Sequence, residues 1–202
     1  MTEDSETEPA PLQIYLVRHS QTEWSLSGQH TGRTDIPLTP HGEDEARALE
    51  PRFRTLGFTH VLTSPRQRAR QTAMLAGLGA KAAIEADLAE WDYGDYEGLR
   101  SVEIRAERPG WDILRDGCPN GESPAQITAR ADRIVALLSS LSGKVAVFSH
   151  GHFGRCLAAR WIGLEVDAVR HLLLGTACYS VLGYDPGHPE NRVIAQWNIA
   201  AT

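Results

Sequence analysis

Short apolar or β-branched runs at residues 14–17, 60–63, 145–149, 179–184 and 193–197 are each bounded by polar, Gly or Pro residues, which predicts strands. Helix starts lie between them. Thr39-Pro40, Ser64-Pro65 and Ser123-Pro124 each place a side-chain cap before a proline, whose missing N–H costs nothing at the first helical position. Gln126, three residues after Ser123, completes a capping box. Helices of about 10 to 18 residues are predicted from Pro40, Pro65 and Pro124, with Pro51 kinking or ending the first. Strands alternating with helices predict an α/β fold, a three-layer α/β/α sandwich around a largely parallel central sheet. The last two runs, joined by residues 185–192, add an antiparallel strand at the sheet edge. Residues 91–121 are richer in Gly, Pro and aromatics and weak in periodicity, and read as an excursion over the sheet.

With 202 residues, 42% of them hydrophobic, the chain can bury a core, and it reads as one domain over 12–202. Residues 1–11 are acidic and carry prolines, which predicts a disordered lead-in; their order is the reverse of a signal peptide's. No apolar run approaches a membrane span. The formal net charge of -6 argues against nucleic acid or an anionic membrane as partner, so any phosphate site must be a local basic pocket. Cys118, Cys156 and Cys178 are too widely spaced for a disulfide framework or a zinc site and point to free thiols in the cytoplasm.

Three runs end in groups suited to phosphate: Arg18-His19, Ser64-Pro65-Arg66-Gln67-Arg68, and His150-Gly151. Ligands of open α/β sheets sit beyond the carboxyl ends of the strands, so one crevice collects two arginines and two histidines. The loops or helix starts that follow turn backbone N–H groups toward an anion. A lone histidine after a strand is more often structural, but a pair with arginines shifts the odds. Unprotonated imidazole attacks phosphorus once fixed cations neutralise the oxygens. Arg18 and Arg68 supply that charge through a planar fork that lysine lacks, and a protonated His150 adds charge and a donor. The leaving alkoxide needs a proton; Glu90, with Trp91, Asp92 and Asp95 close by to raise its pKa, is the candidate acid.

Further residues follow in order along nearly the whole chain. These are Arg18-His19-Ser20-Gln21-Thr22-Glu23-Trp24, His30-Thr31-Gly32-Arg33, Thr63-Ser64-Pro65 with Arg68-Ala69, Glu90 with Tyr93-Gly94, Gly121-Glu122-Ser123, and Ser149-His150-Gly151. Together they resemble the histidine phosphatase superfamily in its phosphoglycerate-mutase-like branch, nearest in type to broad acid phosphatases and sugar bisphosphatases. The resemblance implies a phosphoglycerate mutase-like fold and transient phosphorylation of His19. It also implies a phosphate pocket of Arg18, Arg68 and His150, with Glu90 as acid and then as base for water. Ser25, Thr31, Gly32, Tyr93 and Gly151 match positions lining the substrate pocket. No metal and no cofactor are implied, and the expected partner is a small phosphorylated metabolite.

Two departures from that pattern bear on function. Ser20 stands where glycine usually follows the nucleophile, and it is small enough to donate to phosphate itself. In the mutases the acid precedes Arg-His-Tyr-Gly, a lysine, and an insertion with paired arginines that hold a second acidic group. Here Glu90 precedes Trp91-Asp92-Tyr93-Gly94, Ser101 falls on the lysine position, and no Arg-Arg pair follows before Gly121. A phosphomonoester hydrolase of acid phosphatase type is therefore expected, with a 2,3-bisphosphoglycerate-dependent mutase or a narrow sugar bisphosphatase as alternatives.

Simpler readings hold for other residues. Arg66 and Arg70 read equally as solvated helix residues or substrate contacts, His30 and His152 as rim residues, and Trp24, Trp91 and Trp111 as core or pocket wall. The acidic run Asp92, Asp95, Glu97 near a phosphate site disfavours a second anion, so substrates with one phosphate and a neutral or polar body are expected. His150-Gly151-His152 has a metal-like look without a carboxylate or cysteine partner. Apolar residues 171–174 offer a surface for a homo-oligomer.

Overall fold

The structure, a computed structural model, describes residues 10–200. Six strands form one sheet: β1 (Gln13–Arg18), β2 (His60–Thr63), β3 (Ala82–Ile84), β4 (Lys144–Ser149), β5 (Tyr179–Asp185) and β6 (His188–Ile199), in the order β3-β2-β4-β1-β5-β6. The first four strands pair in parallel, β5 runs antiparallel to β1, and β6 closes that edge as an antiparallel hairpin with β5. The expected connection at 185–192 is mostly strand, because Asp185 already pairs with His188 around a tight turn. Residues 82–84 form a strand that the hydrophobic pattern does not announce. Most of the expected lead-in lies outside the described residues; of its last two, the Ala10 carbonyl accepts a bond from the Gly143 N–H at 2.9 Å.

Among the described residues seven α-helices accompany the sheet: α1 (Glu23–Ser27), α2 (Pro40–Leu56), α3 (Gln67–Leu75), α4 (Ser101–Glu107), α5 (Ile113–Asp116), α6 (Pro124–Ser139) and α7 (Gly151–Trp161). Thr39 caps α2 through the Gly42 N–H at 3.0 Å, and Ser123 with Gln126 forms the expected capping box on α6. Pro51 neither ends nor shortens α2, which continues to Leu56 and stops at Gly57 with φ 65. Helix α3 begins at Gln67 rather than at Pro65; its N-cap is Arg66, which makes no side-chain cap bond, while the Ser64 hydroxyl accepts the Arg66 N–H just ahead of the first turn.

Strand alternation sorts the core into two layers. Ile14, Leu16, Val145 and Val147 face one way, onto α6 and α7 through Ile127, Ile134, Phe153 and Leu157. Tyr15, Val17, Ala146 and Phe148 face the other way, onto α2 and α3 through Leu49, Phe53, Ala69 and Ala73. The excursion at 91–121 joins the first layer, burying Trp91, Tyr93, Ile104 and Trp111. Each such side chain contributes roughly 2 kcal/mol by leaving water, which fixes this segment over the carboxyl ends of the strands.

Candidate active site

Strand register assembles the site. Arg18 lies opposite Ser149 in the parallel β1–β4 pair, so the next residues, His19 and His150, leave the sheet side by side. Their ring centroids are 5.2 Å apart. Thr63 pairs with Phe148, which brings Ser64 to the same edge, where its hydroxyl bonds His150 Nε2 at 2.7 Å and accepts the Arg66 N–H at 3.2 Å.

His19 Nδ1 is 2.8 Å from the Ser20 carbonyl. A carbonyl only accepts, so Nδ1 carries the proton and Nε2 keeps its lone pair. Burial, and then the charges of Arg68 and Arg18, hold the His19 pKa well below 6.5. Burial, Arg68 and His19 do the same to His150, so this ring is neutral here rather than protonated; a bound dianion would act in the opposite sense.

Arg68 is wholly buried on α3, and its terminal nitrogens donate to the carbonyls of Thr31 at 2.8 Å, Thr34 at 2.9 Å and Gly32 at 3.2 Å. Arg18 donates to the Leu174 carbonyl at 2.6 Å. Arg18 Nε, Arg68 Nε, His150 Nδ1 and Ser20 Oγ are buried polar atoms with no hydrogen-bond partner. Each unpaired polar group costs about 1–3 kcal/mol, and an oxyanion is an acceptor for the two guanidinium N–H groups, for the Ser20 hydroxyl, and for His150 Nδ1 once it carries a proton.

Glu90 reaches the same place from the excursion. Its Oε1 accepts the N–H groups of Trp91 at 2.9 Å and Phe153 at 2.8 Å, and its Oε2 accepts the His152 N–H at 3.0 Å. The carboxylate thus caps α7, with both Oε1 lone pairs used and one Oε2 lone pair left for a proton. The expected neighbours are engaged elsewhere: Asp92 pairs with Arg33 at 2.6 Å, and Asp95 accepts from Asn120 at 2.9 Å. A buried arginine that sequence reading did not single out holds the backbone here. Arg130 donates to the carbonyls of Asp87, Ala89 and Glu90 and pairs with Glu122 at 2.7 Å, while Glu122 accepts the Asp92 N–H.

The profile of the histidine phosphatase superfamily (branch 1) matches residues 14–199. The chain belongs to the histidine phosphatase superfamily. It is 40% identical over 178 residues to an acid phosphatase of Mycobacterium tuberculosis, covering 86% of this chain and 87% of the relative. It is 44% identical over 185 residues to a sedoheptulose 1,7-bisphosphatase of Saccharomyces cerevisiae, covering 75% and 68%. A probable phosphoglycerate mutase of Klebsiella pneumoniae is 34% identical over 183 residues, covering 86% and 85%. The solved structure of a Mycobacterium tuberculosis open reading frame superposes with a TM-score of 0.87 at 38% identity, covering 94% of this chain and 98% of that one.

In this histidine phosphatase a cavity of about 300 Å³ opens above His19. Arg18, His19, Ser25, Thr31, Glu90, Tyr93 and Gly151 line it, and Arg68 and His150 lie fully buried behind it. Gly32 is not on the cavity wall. Its carbonyl holds Arg68, and a Cβ there would sit 2.5 Å from the Trp91 carbonyl, so the position demands glycine for packing. Ser25 caps α1 in a reciprocal box with Thr22. Tyr93 stacks on His30 at 4.5 Å and bonds His152 Nδ1 at 2.8 Å. Burial lowers the His30 pKa to about 4 and raises that of Tyr93 well above 10. His150 and His152 therefore answer to different partners, and among the described residues no group of three His, Cys, Asp or Glu side chains is placed to hold a metal.

Three further placements bear on the sequence reading. Asp92, Asp95 and Glu97 stand off the cavity, with Glu97 accepting the N–H groups of Gly32 and Thr34. Leu173 and Leu174, read as an oligomer surface, line the cavity mouth together with Trp24. Arg155 lines it as well, one turn along α7 from Gly151, a spacing that could have exposed it because i and i+4 share a helix face. Arg66 is partly buried and lines a second opening that also reaches Glu90, whereas Arg70 is exposed.

Proposed function

We propose that this chain hydrolyses phosphomonoesters of small metabolites through a phosphohistidine at His19. Nε2 of His19, held unprotonated, attacks phosphorus; the P–N bond forms as the ester P–O bond breaks. Arg18, Arg68 and His150 carry the charge of the phosphoryl oxygens on the buried floor of the site. The leaving alkoxide takes the proton from Glu90 Oε2. The Glu90 carboxylate then accepts a proton from water as that water attacks the phosphohistidine, releasing inorganic phosphate and restoring His19.

The observation that carries this reading is the locked tautomer of His19 beside four unpaired buried groups. The acid phosphatase and bisphosphatase relatives support hydrolysis. Transfer back to substrate would need the mutase lysine, and Ser101 at that position instead bonds His30 Nε2 at 3.2 Å. Three free thiols at Cys118, Cys156 and Cys178 support a reducing, cytoplasmic setting. Among the described residues no helix is long and apolar enough to cross a membrane.

The test is phosphate release from 4-nitrophenyl phosphate and sugar phosphates, with and without 2,3-bisphosphoglycerate, combined with acid-quench trapping of labelled enzyme. Release without the bisphosphate, through an acid-labile phosphoenzyme absent from His19→Ala, is expected. Isomerisation of phosphoglycerate that depends on 2,3-bisphosphoglycerate, with little free phosphate, would establish the mutase instead.

A further inference from the structure

The two histidines of the floor have different groups opposite their rings. His19 Nδ1 faces a carbonyl, so it donates, and its Nε2 is left with a lone pair. His150 Nε2 faces the Ser64 hydroxyl instead, and a hydroxyl either donates or accepts. The other partners of that hydroxyl decide which.

Ser64 is wholly buried, in the turn between β2 and α3. Its Oγ receives the Arg66 N–H at 3.2 Å, and a backbone N–H only donates. Among the described residues the one acceptor bonded to the Ser64 hydroxyl is therefore His150 Nε2, at 2.7 Å. The reverse arrangement, with Nε2–H donating to Oγ, would leave a buried O–H with no acceptor, which folded proteins rarely hold. Nε2 thus keeps the lone pair, and in the neutral ring the proton sits on Nδ1.

The surroundings of Nδ1 agree with that assignment. It is buried and unpartnered, and neither Arg18 Nε nor Arg68 Nε, both unpaired donors, bonds to it. A second proton on the ring is opposed from every side. Arg66 and Arg68 at the start of α3, His19 at the end of β1 and Arg130 on α6 all add to the cost of charging this buried imidazole.

We infer that Ser64 is a positioning residue, whose hydroxyl holds neutral His150 in the Nδ1–H tautomer so that this ring meets the phosphoryl group with an N–H while His19 meets it with a lone pair. This deepens the phosphatase reading and rests on it. The chain from the Arg66 N–H through the Ser64 hydroxyl to His150 runs in one direction, and each bond polarises the next. It ends on a phosphoryl oxygen. His150 then takes up no proton when the ester arrives and returns none when phosphate leaves.

Nitrogen NMR of the full-length protein with isotope-labelled histidine reads the tautomer directly, the His150 ring being assigned through its own backbone. Near neutral pH, wild type is expected to show a proton-bearing, pyrrole-type Nδ1 and a pyridine-type Nε2. The reverse pattern, or the two pyrrole-type nitrogens of an imidazolium, would overturn the inference without recourse to any variant. Ser64→Ala is then compared with wild type by the same spectrum and by 4-nitrophenyl phosphate hydrolysis. Without the hydroxyl the two arginines favour a lone pair at Nδ1, so the His150 proton should move toward Nε2. The donor to phosphate is lost with it, and kcat should fall by about 10²-fold, the scale of removing one preorganised donor. An unchanged kcat, or a lowered kcat with His150 still in the wild-type tautomer, would overturn the positioning role. Failure of wild type to release phosphate from 4-nitrophenyl phosphate would instead overturn the phosphatase reading, whatever the tautomer.

Discussion

The floor of the cavity and its mouth are built by opposite means. The floor comes from the ends of β1, β2 and β4, and its central groups are enclosed: His150 and Arg68 have no exposure, and His19 retains 5%. The mouth comes from the short helix α1 and the strap at 172–174, where Leu26 and Leu173 stand 67% and 77% exposed. Groups in the floor are desolvated and partly unpaired, which makes them strong toward an anion and intolerant of change. Groups at the mouth gain little from burial, so exchanging them alters which ester enters without disturbing the reacting centre.

That contrast predicts graded effects. The largest belongs to His19→Ala, which should lower kcat by about 10⁴-fold or more on every substrate, because no other group can form the covalent intermediate. A substrate-dependent loss would show that the nucleophile is not in the floor. Next is Glu90→Gln, expected to cost about 10²- to 10³-fold on sugar phosphates. On 4-nitrophenyl phosphate the loss should be smaller, since nitrophenolate leaves without a proton; equal losses on both would remove Glu90 as the acid.

The pH profile offers a finer test. With the His19 pKa held well below 6.5 by burial and two arginines, the nucleophile stays unprotonated as the solution is acidified through 6.5. The acid limb of kcat/KM, which reports the free enzyme, should therefore fall below pH 6.5. An acid limb centred at 6.5 or above would mean that the floor is not desolvated as described. Stability obeys the same sign. His19, His30, His150 and His152 all have folded pKa values under the ordinary 6.5, so the unfolded chain takes up protons that the folded one refuses. Resistance to urea should then decline as pH drops from about 6.5, by up to about 1.4 kcal/mol per pH unit for each histidine until its folded pKa is passed. The smallest effect is at the mouth. Leu173→Ala should shift KM by about two- to fivefold, differently for different esters, in steady-state assays; a large, uniform loss of kcat would dissolve the distinction between mouth and floor.

Much of the floor was legible in the sequence because each of its residues directly follows an apolar run, and parallel register does the rest. Arg18 opposite Ser149 needs only the alignment of two runs to bring His19 beside His150. Helix starts were legible where the capping residue directly precedes the proline at the first helical position, as at Thr39 and Ser123. At Ser64 the hydroxyl both accepts the Arg66 N–H and bonds His150, far along the chain, and the helix starts two residues later than Pro65, at Gln67. Strand β3 was illegible: Ala82, Ala83 and Ile84 are too few, and too exposed, to carry a pattern. Arg155 was legible only in part: its spacing from Gly151 places it on the same helix face, but the carbonyls at 169 and 172 that hold it meet α7 only in the folded chain. The acidic run misled because charge counted along a sequence carries no direction; Arg33 and Asn120 turn Asp92 and Asp95 to other uses.

The carboxylate of Glu90 is both the proposed proton donor and the cap on the first turn of α7 through His152 and Phe153. Each protonation would weaken the acceptor that those two amides rely on, and each deprotonation would restore it. The catalytic cycle is thereby written into local backbone order. Amide hydrogen exchange at His152 and Phe153 should quicken while the acid is protonated and slow in the phosphoenzyme, giving a clock for turnover that needs no chromogenic substrate.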